Sequence, residues 1–105
     1  MNNWYFEKDV TADDRYREKD IRKIVSRASQ AFHEYAPIRG KRVYRSFSWG
    51  PLVDVFVIDL RSYRGPNTSN RQPTQSAETR FFGAAQLRWL EHALKSSKAT
   101  WKIIA

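Results

Sequence analysis

"LVDVFVIDLRSYR", residues 52–64, decides the fold. Its first seven residues are apolar except for Asp54, and such a run, rich in β-branched residues, reads as a central strand buried on both faces. At Asp59 the apolar character stops, and Arg61, Tyr63 and Arg64 follow at once. Just before the run, Gly50-Pro51 is a turn signal. Upstream of the turn, "RVYRSFSW" (42–49) places Val43, Tyr44, Phe47 and Trp49 in a second strand-like segment with imperfect alternation. Residues 42–59 are therefore expected to form an antiparallel hairpin.

Two helices flank it. From Arg17 to Tyr35, apolar Ile21, Ile24, Val25, Ala28, Phe32 and Tyr35 recur at three- and four-residue spacing. Pro37 ends this helix because proline disfavours helical geometry at Ala36. A second helix is expected over 84–95, with Leu87, Leu90 and Leu94 on its buried stripe and Trp89 beside it. "ATWKIIA" then begins another strand. A strand–helix–strand order implies a right-handed crossover and a parallel pair. The fold class is thus α/β, with a mixed sheet made of an antiparallel hairpin and a βαβ crossover. Residues 60–79 read as one long loop, and a loop of that length in a small domain is either functional or covers a site.

With 105 residues, 41% hydrophobic and 14% aromatic, the chain has material for one small domain and is not disordered as a whole. The absence of cysteine excludes disulfides, thiolate metal sites and cysteine nucleophiles. No apolar run is long enough to span a bilayer, and "MNNWYFEKDV" has no signal-peptide pattern. The net charge of +8 favours an anionic partner, but the basic residues are dispersed and form no block. The apolar end at Ile103, Ile104 and Ala105 and the aromatic start "MNNWYF" read as cuts through a larger domain.

Motifs for chemistry are few. His33 and His92 have no metal-ligand spacing, and neither a phosphate-cradling glycine motif nor GxSxG occurs. The acidic residues Asp9, Asp13, Asp14, Glu18 and Asp20 lack calcium-loop spacing and suit the N-terminus of the first helix. That leaves "DLRSYR". Functional groups gather at the carboxyl ends of strands in open α/β sheets, and two guanidinium groups there could hold an anionic oxygen. Alternatively, Asp59 pairs with one of the arginines and simply caps the loop.

"AFHEYAPIR", "YRSFSWGPLVDVFVIDLRSYR", "FFGAAQLRWLEHAL" and "SSKATWKIIA" together resemble consecutive blocks of the PhoD-like alkaline phosphatase and phosphodiesterase family, which has a calcineurin-like metallophosphoesterase core. The resemblance covers nearly the whole chain. It implies that residues 1–105 are part of a PhoD-like catalytic domain, cut at both ends, and a section of a metallophosphoesterase sandwich. "MNNWYF" resembles the end of a family block in which an asparagine is a metal ligand, a role that falls here to Asn2. The other ligands would lie outside these residues. Where the family commonly has leucine-aspartate-threonine-arginine, this chain has Ile58, Asp59, Leu60 and Arg61, which puts one hydroxyl contact in doubt.

The resemblance further implies a phosphoester substrate and divalent or trivalent metal ions, calcium and iron, in the full-length enzyme. By itself the chain is expected to be inactive and metal-free. Arg61 and Arg64 are the expected substrate contacts, with Asp59 and Tyr63 at the edge of the site. Family members are often exported. No nucleic acid is expected beyond non-specific attraction, and the oligomeric state is open. Two other readings stand beside this one: a small basic nucleic-acid-binding module, and a structural remnant without activity.

Overall fold

Asp20 starts the first helix. Its carboxylate accepts a hydrogen bond from the Arg22 amide, so the helix, α1, runs Ile21–Tyr35 and begins four residues later than periodicity suggests. Residues 17–20 are excluded because the Glu18 carboxylate takes the Asp20 amide, and the other acids close local turns: Asp9 accepts from the Thr11 amide and Asp13 holds Arg15 at 2.7 Å. At the far end the Ala36 amide donates to the Phe32 carbonyl and Pro37 follows. The structure is a computed structural model and describes residues 1, 3–69 and 71–105.

The hairpin is present but shorter than its sequence pattern. Strand β1 (Arg45–Trp49) pairs antiparallel with β2 (Val53–Val57), Trp49 opposite Val53 and Arg45 opposite Val57. Gly50 turns the chain at φ +62°, a left-handed conformation that glycine adopts without a Cβ penalty. Strand β3 (Trp101–Ile104) lies parallel to β2 on its other side, so the sheet order is β1-β2-β3. The mixed sheet and its strand–helix–strand crossover are as expected from the sequence.

Between β2 and β3 runs helix α2 (Ala84–Ser96), introduced by Gly83 at φ +75°. Its buried stripe differs from the sequence expectation. Leu90 is buried and Leu94 half-buried as expected, but Leu87 is 43% exposed and Gln86 (1% exposed) is buried in its stead, so the inward face runs through Gln86, Trp89, Leu90, Ala93 and Leu94. The reason is a backbone need at Asp59, whose amide and carbonyl both bond to the Gln86 side chain.

Residues 60–79 are not structureless. A single 3-10 turn, Ala77–Thr79, is capped reciprocally by Ser76 and Thr79. The loop is clasped at its neck, where the Gly65 amide donates to the Arg80 carbonyl at 2.7 Å. A Cβ on Gly65 would collide with the Ala77 carbonyl, so glycine is required by close approach of backbone. The molecule measures 51 × 40 × 17 Å, about the thickness of one sheet with one helical layer.

Candidate functional site

Asp59 lies two residues beyond the end of β2 and is 6% exposed. Its Oδ1 accepts hydrogen bonds from the amides of Arg61 (2.9 Å) and Ser62 (2.8 Å). The carboxylate therefore folds the chain into a tight turn, as aspartate does where it mimics a backbone acceptor. The sequence left open whether Asp59 pairs with an arginine. Among the described residues it caps the loop through amides and makes no ion pair with either guanidinium.

Gln86 anchors this turn to α2. Its Oε1 accepts from the Asp59 amide at 2.6 Å, and its Nε2 donates to the carbonyls of Asp59 and Phe82, both at 2.9 Å. One side chain thus replaces the strand partner that the Asp59 backbone has lost, which explains why a polar residue holds a buried place on α2. A glutamine spaced three, four and seven residues from Trp89, Leu90 and Ala93 was the available sequence signal.

Tyr63 is wedged next to the same helix. Its ring meets Tyr44 edge-on at 5.6 Å, Tyr44 in turn meets Trp89 at 5.0 Å, and the backbone of Gly83 approaches its Cβ. Burial pushes the Tyr63 phenol above its ordinary pKa, with neighbouring Tyr44 and Asp59 acting in the same direction. Arg42 completes the cluster, donating to the Tyr44 hydroxyl at 3.0 Å with its guanidinium 5.5 Å from the ring centre.

The two arginines differ. Arg64 is committed to its loop: it lies 5.5 Å from the Phe81 ring centre, Nη2 donates to Asn67 at 3.0 Å, and Nε is buried without a partner among the described residues. Arg61 is exposed, and among the described residues its guanidinium has no hydrogen bond or ion pair. It stands with Asp59, Leu60 and Ser62 on the wall of a cavity of about 680 Å³. Across that cavity lies the apolar stripe of α1, including Ile21, Ile24, Val25 and Phe32. Leu60 takes part only as apolar wall.

Among the described residues no group of three or more histidine, cysteine, aspartate or glutamate side chains could hold a metal ion. His33 Nδ1 lies 2.8 Å from the Ser29 carbonyl and His92 is exposed. Asn2, assigned above as a ligand, lies outside the described residues.

The profile of PhoD-like phosphatases matches residues 1–105. The chain belongs to the PhoD-like phosphatase family. It is 32% identical over 92 residues to alkaline phosphatase D of Bacillus subtilis (strain 168), an alignment covering 74% of this chain and 16% of that protein. A solved structure of PhoD superposes on 99% of the chain with a TM-score of 0.69 and 27% identity, and the match covers 22% of that structure. The PhoD-like chain thus spans about a sixth to a fifth of the length of these relatives. Within this PhoD-like fold, the capped Asp59 turn and its Gln86 anchor hold Arg61 at the cavity wall.

Proposed function

We propose that residues 1–105 form part of a catalytic domain that hydrolyses phosphoesters with metal ions, and that the Asp59–Arg64 tip supplies its phosphate-facing edge. The match of the PhoD-like profile over residues 1–105 carries this reading. Arg61 is the substrate contact: a free guanidinium fixed by a capped turn can meet two phosphate oxygens with little loss of freedom. Arg64, held by Phe81 and Asn67, contributes mainly by shaping the loop. Asp59 and Tyr63 position the tip and touch α2 instead of substrate.

Metal ligands for such a reaction would come from elsewhere in the domain, since no group of three or more histidine, cysteine, aspartate or glutamate side chains gathers among the described residues. The role of this chain is binding and orientation. Alone, it is expected to show no phosphatase activity.

The test is a chimera in which residues 1–105 replace the matched stretch of Bacillus subtilis alkaline phosphatase D. It should hydrolyse an aryl phosphate ester. Arg61→Ala should then lower kcat/KM by about 10- to 100-fold, the loss of one charge-assisted contact, with unchanged circular dichroism. An unaltered kcat/KM in this variant removes Arg61 from the site.

A further inference from the structure

Past the end of β2, the Ile58 amide still finds a strand-like partner, donating to the Ala105 carbonyl at 2.8 Å. At Asp59 that partner is replaced by the Gln86 side chain, which takes both the backbone amide and the backbone carbonyl. The start of α2 then meets the chain a second time. A Cβ on Gly83 would lie 2.9 Å from the Tyr63 Cβ, closer than side chains approach, and Trp89 braces the Tyr63 ring through Tyr44. Gly83 and Gln86 belong to one turn of helix, so a single rigid element grips both ends of the 59–63 turn. Arg61 stands between the two grips, with its amide on Asp59 Oδ1.

We propose that Gln86 is a positioning residue for phosphate binding: with Gly83, it makes the first turn of α2 the element that sets where the Arg61 guanidinium stands. The proposal rests on the reading of Arg61 as the substrate contact. All the contacts that carry it are made inside the chain, and none depends on a face being uncovered.

The arginine itself shows why the backbone matters. Among the described residues no hydrogen bond or ion pair holds its guanidinium, whereas Phe81 and Asn67 hold that of Arg64. The reach of Arg61 is therefore set by its main chain, and its main chain by Asp59 and Tyr63. Two-pronged recognition of a phosphate by a planar guanidinium tolerates little displacement. Hydrogen bonds fix the Asp59 backbone more narrowly than an apolar contact would, because they weaken steeply with distance and angle. A glutamine can serve the amide and the carbonyl together, since it carries both an acceptor and donors.

A double-mutant cycle in the chimera with Bacillus subtilis alkaline phosphatase D separates positioning from plain stability. Gln86→Met keeps the length of the side chain and removes its donors and acceptor. It should lower kcat/KM for the aryl phosphate ester about tenfold, the scale of loss from a slightly misplaced contact. In the Arg61→Ala background the same substitution should cost less than about twofold, because the group it positions is gone. The urea midpoint should fall equally in both backgrounds, since that effect does not pass through Arg61. Gly83→Ala, which must push Tyr63 aside, should repeat the pattern, and it decides by the same comparison where Gln86→Met does not fold. A readout without turnover is labelling by phenylglyoxal, mapped by peptide mass spectrometry: inorganic phosphate should protect Arg61 in the parent chimera and protect it less in Gln86→Met. Equal losses of kcat/KM in both backgrounds overturn the proposal, as does an unchanged kcat/KM or unchanged phosphate protection in a folded Gln86→Met chimera. Those results leave Arg61 in the site. An Arg61→Ala chimera with unaltered kcat/KM instead removes Arg61 from the site, and the positioning role falls with it.

Discussion

At the scale of single residues, the tip of β2 depends most on Gln86, whose three hydrogen bonds satisfy the Asp59 amide and the Asp59 and Phe82 carbonyls. Truncation leaves buried backbone groups without partners, and each such group costs about 1–3 kcal/mol. Gln86→Ala is therefore expected to destabilise the chain by about 2–4 kcal/mol, read as a lower urea midpoint at similar m-value. Gln86→Glu should not rescue it, because a carboxylate can accept from the Asp59 amide but has no donor for the two carbonyls. The contrast between Arg61 and Arg64 belongs to this scale as well. Two arginines three residues apart read alike in sequence, and Phe81 separates them by engaging one.

At the scale of elements, Asp54 joins three of them: on β2 it accepts from Ser48 on β1 and from Ser97 at the end of α2. The Ser48 hydroxyl, followed by that of Ser97, holds its carboxyl below the ordinary carboxylate range. A depressed folded value means that the stabilisation is present above the unfolded value, near pH 4, and is lost as pH falls through the lower folded value. Asp54→Asn should accordingly flatten the acid limb of a stability–pH curve below about pH 4, checked by thermal melts across that range. The loop 66–79 depends on its neck in a similar way. Gly65→Ala must push the Ala77 carbonyl aside and strain the Gly65–Arg80 hydrogen bond, so a loss of about 1–3 kcal/mol is expected, with faster proteolysis of the loop.

At the scale of the whole molecule, the chain is open. Its accessible surface of 8364 Å² exceeds the roughly 6,100 Å² typical of a monomer of this mass, and its radius of gyration of 16.6 Å exceeds the roughly 13 Å of a compact domain of this length. α1 contains no fully buried residue although its stripe is apolar, and both faces of the sheet carry exposed apolar side chains, Trp101 on one and Ile104 on the other. Much was legible beforehand: the turn at Gly50-Pro51, the end of α1 at Pro37, the strand ending towards Asp59 and the βαβ order all come from local sterics and periodicity, which act within a few residues. The partner of Asp59 was not legible, because Gln86 lies 27 residues away and is joined to it only by the crossover. Nor was the inward face of α2, where periodicity favoured Leu87 and a backbone requirement selected Gln86. By itself the sequence determined which segments become helix or strand and which of their faces are apolar. Only the tertiary structure decided which of those faces is covered, because burial depends on the body that approaches, and periodicity carries no information about that body.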